Sequence, residues 1–413
     1  MTQIGYENKK WLEFGSKMRQ SRITYSYLGV LLLARMVIDL DFLAIILYFS
    51  VFSSTFNVSI WVMGFLITIY SIFTLFSPIF GSLSDQYGRQ RFMNLGLILF
   101  AFSNLIIILS QSWVHLFIAR ALAGLAGRAI FLPILLAELG DISTYEKRTY
   151  FMGIVRISWP ITFMFGVPLV GYTIEYIDWR LPFLLMALVA VVIALIMTFN
   201  SKFNKNEEIR GDPATLDRFS LFKRVLVDRS AISGLALMLF AVGSIQGIFA
   251  YFSVWLESEF LLQESQISVI YAFMGLGTLF GTLLATGIGD KVGTKFFSIL
   301  GLGLSAVGMV LLSNFSSTPS YVILWLLILG ITFDSSMTAV PALLTQITDA
   351  KGTILSINQA LNAGATAVGT AISGLIWINV GYPMIGLFFG STAFVGALIG
   401  FLGIRANRQP RNY

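Results

Sequence analysis

About twelve apolar runs follow one another along this chain of 413 residues, each near the ~20 residues needed to cross a bilayer core. They cover 25–50, 58–80, 93–111, 114–138, 150–174, 181–199, 231–256, 267–288, 296–313, 320–345, 353–378 and 383–404. Backbone polar groups in lipid must be satisfied within the protein, and runs of this length achieve that as helices. The expected fold class is therefore an all-α membrane protein of twelve transmembrane helices. Charged residues make up 12% of the chain, against ~25% in an ordinary soluble domain, so the bilayer is its solvent.

The longest polar stretch between runs, 200–230, divides the chain into a six-helix half at 25–199 and another at 231–404. Residues 1–24 and 405–413 are polar ends. Residues 1–24 carry Lys9, Lys10, Lys17, Arg19 and Arg22 with no small-residue cleavage site after them, so no cleavable signal is expected. Of 27 Lys and Arg, Arg35, Arg120, Arg128 and Arg156 lie inside apolar runs. With both termini cytoplasmic, every other basic residue except Arg180 falls on the cytoplasmic side, a strong positive-inside pattern. The expected location is a plasma or bacterial inner membrane. GSLSDQYGRQRF after the second run has a weaker copy, TGIGDKVGTKFF, after the eighth. Asp85 and Gly88 thereby correspond to Asp290 and Gly293. Repeated halves around a midplane site are a common transporter plan.

Several function classes are excluded. There is no cysteine, and His115 is the only histidine, so thiolate and histidine metal clusters are not expected. The basic balance is explained by loop topology, not by nucleic acid. No GxxxxGK[ST] loop is present, and no nucleophile–base constellation supports an enzyme. No cofactor is expected. Partners are the lipid bilayer, a small-molecule substrate and protons, with the chain a monomer.

Seven ionisable residues interrupt the apolar runs: Arg35, Asp39, Asp41, Arg120, Arg128, Arg156 and Asp334. A charge at the centre of a bilayer helix costs at least ~2.5–3.5 kcal/mol, so such residues are usually functional. At ~1.5 Å per residue, Asp39, Asp41 and Arg120 share one layer. Arg128, Arg156 and Asp334 fall in a second, nearer the cytoplasm. Arg35 and Asp39 are four apart and can pair on one helix face. Asp41 is ~200° around the helix from Asp39. Either Arg35 neutralises Asp39 while Asp41 meets Arg120 or the substrate, or Asp39 titrates against Arg120. A moving Arg would switch such an acid between proton-holding and proton-releasing states. The second layer reads as a clamp for an anionic or zwitterionic substrate, or as two Arg snorkelling to the cytoplasmic edge. Gln246, Phe249, Tyr251, Trp255, Asn358, Gln359 and Asn362 are candidates to line a central cavity.

Gly81-x-Leu83-x-Asp85-x-x-Gly88-Arg89-x-Arg91 matches the G-x-L-x-D-x-x-G-R-x-R/K loop of the major facilitator superfamily, and the chain resembles that family over nearly its whole length. Arg120-x-x-x-Gly124-x-x-Gly127 resembles the R-x-x-x-G-x-x-G pattern of its drug/proton antiporters. Trp179, Arg180 and Phe183 resemble the family's W-R-x-x-F. Gly166, Pro168 and Gly171 form a degenerate version of the antiporters' G-P-x-x-G-G, with Val167 and Tyr172 in place of two glycines. The resemblance implies that Asp85 faces the start of the eleventh span near Thr353, where the helix dipole favours an anion. It implies further that Arg89 reaches Glu138 or Asp141, with Gly81 and Gly88 shaping the gate. Proton-coupled antiport of drug-like or amphipathic molecules is the first functional reading. Proton-coupled transport of an anionic metabolite is the alternative, favoured by the excess of intramembrane Arg.

Overall fold

The computed structural model describes residues 25–142, 155–199, 227–347 and 351–404, together with Val225. The polar ends 1–24 and 405–413, and nearly all of 200–230, lie outside the described residues. Among those described, every regular element is helical. We label the long helices α1 (Tyr25–Leu47), α2 (Ile60–Gly81), α3 (Arg89–Ile108), α4 (Trp113–Leu139) and α5 (ending in Val167–Tyr176). They continue as α6 (Leu181–Phe199), α7 (Arg229–Phe260), α8 (Glu264–Val292), α9 (Thr294–Asn314), α10 (Pro319–Ile347), α11 (Lys351–Asn379) and α12 (Tyr382–Gly403).

Ten of the described helices are long and apolar enough to cross a membrane by length and composition. The two labelled helices outside that set are instructive. The 23 residues of α1 hold Arg35, Asp39 and Asp41, which lower its hydropathy. α5 is assembled from Ser158–Ile161, a wide π-type turn at Thr162–Gly166, and Val167–Tyr176. The first apolar run is also longer than a single helix: it turns at Tyr48 and resumes as Phe49–Phe56.

Helix ends follow local chemistry. Asp228 caps α7 by accepting hydrogen bonds from the backbone N–H of Ser230 (2.7 Å) and Ala231 (3.3 Å). Gly88, between the end of the second apolar run and α3, has φ 99° and ψ 126°. Gly293, between α8 and α9, has φ 99° and ψ 124°. Both conformations are costly for a side-chain-bearing residue, so the sequence repeat is also a repeat of backbone geometry.

Packing arranges the helices in two roles. α3 packs on α6 and α4, and α9 packs on α10 and α12. α2 lies along α11, and α5 lies along α8. Gly171 of α5 makes that second seam close, since a Cβ there would meet the Ser268 hydroxyl oxygen at 2.2 Å. Large apolar side chains such as Leu188, Leu195, Phe394 and Leu402 face outward, as lipid contact requires.

One end of the bundle is cross-linked by hydrogen bonds. The Tyr251 hydroxyl donates to the Trp61 carbonyl (3.1 Å), and the Ser253 hydroxyl donates to the Ile46 carbonyl (2.6 Å). The Glu175 carboxylate accepts from the Ser265 N–H (3.0 Å), and Ser50 donates to Glu257. These residues lie in or near the helix ends that meet at the α1–α2, α5–α6 and α7–α8 connections, the end opposite the Gly88 and Gly293 turns.

Candidate functional site

A cavity of about 330 Å³ lies in the middle of the bundle. Its described walls come from α1, α2, α4, α5, α7, α8, α10 and α11; α3, α6, α9 and α12 contribute none. The volume is in the range of small-molecule sites. Phe42, Tyr70, Trp159, Phe163, Phe249, Tyr271 and Phe333 supply aromatic surface. Arg35, Arg128, Arg156 and Asp334 supply charge, and Gln246, Gln359 and Asn362 supply amides.

The glycines of α4 explain how its two arginines reach α1. A Cβ on Gly124 would stand 2.1 Å from the Tyr70 carbonyl oxygen of α2. A Cβ on Gly127 would stand 2.7 Å from Ile38 Cγ2 of α1. Only a helix without side chains at these positions approaches both neighbours so closely. Gly124–Phe131 also winds as a π-type turn, which re-aims the residues it carries, Arg128 among them.

Three charge groups result. First, Arg120 Nη1 donates to Asp41 Oδ2 at 2.7 Å, with both side chains at most 1% exposed. The Arg120 guanidinium lies over the Tyr70 ring, 4.7 Å from its centroid, and neither Arg120 nor Asp41 lines the cavity. Second, Asp39 is fully buried behind the cavity wall and meets two cations. Arg35 Nε donates to Asp39 Oδ2 at 3.2 Å, and Arg128 Nη2 stands 3.4 Å from Asp39 Oδ1. Arg128 is held between aromatic faces, 4.9 Å from the Phe42 centroid and 5.8 Å from that of Trp159. The Ser158 hydroxyl reaches Asp39 Oδ2 at 3.4 Å. Third, Arg156 Nη2 stands 3.8 Å from Asp334 Oδ1, while Thr282 of α8 donates to Asp334 Oδ2.

These placements differ from the sequence expectation in specific ways. Of the two pairings open for α1, the structure has Arg35 on Asp39 and Asp41 on Arg120. Arg128, assigned by depth to a layer with Arg156 and Asp334, instead meets Asp39. The π-type turn and the length of its side chain account for that reach. Tyr251 does not line the cavity: its ring stacks on Trp377 and is wedged against Gly64 and Gly374. Asn358 is buried away from the cavity, and Trp255 stacks on Tyr382 outside it. Arg156, Asp334, Gln246, Gln359, Phe249 and Asn362 line it.

At the expected gate, Gly81 sits in a helical stretch with open space beside it. Arg89 is half-buried at the start of α3, and Glu138 of α4 bonds the Tyr27 hydroxyl of α1. The side chains of Asp85, Asp141 and Thr353 lie outside the described residues. Sequence reasoning missed Thr282, Tyr70 and Trp159. Thr282 carries no signal because a threonine in an apolar helix is common, and its role depends on a residue 52 positions away.

Comparison with known proteins bears on this geometry. The sequence profile described as Major Facilitator Superfamily matches residues 31–260 and again 235–412. The Bacillus subtilis MFS-type transporter YceJ is 25% identical over 84% of this chain and 85% of its own length. Multidrug resistance protein 2 of Bacillus subtilis is 26% identical over 81% of this chain and 84% of its own. The cis,cis-muconate transport protein of Acinetobacter baylyi is 22% identical over 97% of this chain and 98% of its own.

Proposed function

We propose that this chain, which belongs to the Major Facilitator Superfamily, carries a small organic anion across the membrane by alternating access coupled to protons. It is a multi-pass membrane transporter, not an enzyme. The observation that carries the reading is the cavity lining: among the described residues, three guanidinium groups, Arg35, Arg128 and Arg156, line it against one carboxylate, that of Asp334. Arg suits carboxylate and phosphate, and the aromatic walls suit an apolar body attached to that group.

In this reading the chain has twelve spans in two six-helix halves, joined by 200–230, with both termini cytoplasmic. The hydrogen-bonded end at Ser50, Tyr251 and Ser265 is the outer end, and the cavity serves the cytoplasmic side. Asp39 is the coupling acid. Unprotonated, it holds Arg35 and Arg128; a proton on it releases both for a substrate anion. Proton and anion are then bound together. Arg120 and Asp41 act behind this site, and Asp85, Gly88 and Arg89 act at the cytoplasmic gate.

Proton-coupled efflux of drug-like molecules is the second reading. It is favoured by the aromatic cavity walls and by the similarity to a protein named for multidrug resistance. Substrate-induced pH change in proteoliposomes separates the two. Proton movement with aromatic carboxylates is the expected outcome. Movement only with lipophilic cations selects the second reading, and transport of any substrate without proton movement removes the coupling.

A further inference from the structure

Asp334 is placed unlike the other buried acids. Asp41 and Asp39 are fully buried, whereas Asp334 faces the cavity itself. Its partner Arg156 is the most exposed of the four paired arginines described above, at 34%, and their 3.8 Å separation is the longest of those four ion pairs. Of the four, it is also the pair that spans from the first five helices to the last six. The other Asp334 oxygen is tethered by Thr282. That tether is rigid because α8 and α10 are nearly in backbone contact: a Cβ on Gly281 would lie 2.5 Å from the Ile331 carbonyl, and one on Gly330 2.9 Å from the Met274 carbonyl. The Ser335 hydroxyl adds a bond to the Gly281 carbonyl at 3.1 Å. Thr282 thus holds the carboxylate just short of a close pair with Arg156.

We infer that Asp334 is a built-in stand-in for the substrate's anionic group, occupying Arg156 until a substrate carboxylate displaces it, with Thr282 setting how strongly it competes. The inference rests on the anionic reading above. It makes Thr282 a positioning residue and Asp334 a specificity-determining one. An incoming carboxylate exchanges one Arg156 contact for another, so α5 and α10 lose their ionic link as the substrate binds. A cationic molecule would instead have to take Arg156's place on Asp334, with the guanidinium groups of Arg35, Arg128 and Arg156 as repulsive neighbours.

The two side chains make opposite predictions. Asp334→Asn removes the competitor, so benzoate should bind the purified full-length protein more tightly, read as quenching of tryptophan fluorescence, Trp159 being in the wall. Thr282→Val frees Asp334 to close on Arg156, so benzoate should bind more weakly. Each change is expected to be about threefold, or ~0.7 kcal/mol, within what a partly exposed ion pair contributes. Asp334→Glu should return affinity toward that of the parent. Equal or weaker benzoate binding by Asp334→Asn while the parent binds it overturns the stand-in role alone. So does a shift of affinity in the same direction by Thr282→Val and Asp334→Asn. Absence of benzoate binding by parent and variants alike overturns the anionic reading, and this inference with it.

Discussion

Two ion pairs in this bundle use the same chemical groups and differ in almost everything else. Arg120 and Asp41 meet at 2.7 Å with essentially no exposure, covered by the Tyr70 ring. Arg156 and Asp334 face each other across a cavity at 3.8 Å with the arginine a third exposed. A buried pair is held together by the cost of separating it, because each charge alone in a low dielectric is strongly unfavourable. A cavity pair is nearly free to open, because water or a substrate can take either partner's place. The first arrangement pins helices together, and the second can be exchanged during a transport cycle. Asp39 stands between these extremes, a buried acid whose two cations reach into the cavity.

The sharpest way to break this comparison is to remove one member of the sealed pair. Asp41→Asn or Arg120→Ala should each cost about 3–5 kcal/mol, seen as a large drop in thermal stability of the detergent-purified protein. Replacing both together, Arg120→Met with Asp41→Leu, should recover most of that loss. A stable Asp41→Asn protein with normal proton coupling would show that the pair is not a pin.

Asp39→Asn should cost less, about 1–3 kcal/mol, because Arg35 and Arg128 keep access to the cavity. Its main effect should be on transport: substrate should still exchange, with the accompanying proton movement in proteoliposomes abolished. Arg156→Ala should change thermal stability by no more than ~1 kcal/mol while raising the substrate concentration needed for half-maximal transport. The smallest effect is expected for Gln359→Ala, a cavity amide whose loss should weaken substrate binding by ~0.5–1.5 kcal/mol with stability unchanged. A melting-temperature loss for Arg156→Ala as large as that for Asp41→Asn would erase the distinction between the two pairs.

The charges themselves were legible in the sequence because a bilayer makes them stand out. Arg35, Asp39, Asp41, Arg120, Arg128, Arg156 and Asp334 are all visible as interruptions of apolar runs. Helical spacing also made the Arg35–Asp39 pair readable, since it lies within one turn of one helix. Pairings between helices were not readable to the same degree. Depth along separate helices placed Arg128 with Asp334, and the structure has it against Asp39. A long arginine side chain on a π-type turn can change its layer without any change in sequence position. The polar lining shows the same limit. Gln246 and Gln359 face the cavity, whereas Tyr251 and Asn358, on the same helices, do not. Adjacent residues on a helix point ~100° apart, so the rotation of each helix about its own axis decides which of them faces inward.

By itself, the sequence determined that this chain is a helical membrane protein, because hydropathy and backbone hydrogen bonding in lipid leave no other solution for such runs. It also paired Gly88 with Gly293 through the repeated loop motif, and both carry the positive φ that glycine permits at no steric cost. Only the tertiary structure decided which acid meets which arginine, which charges are sealed and which face the cavity, and that Thr282 holds Asp334. Those outcomes depend on the rotation and approach of separate helices, set by contacts such as Gly124 on Tyr70 and Gly127 on Ile38. A glycine in the sequence permits such an approach without saying which helix will make it.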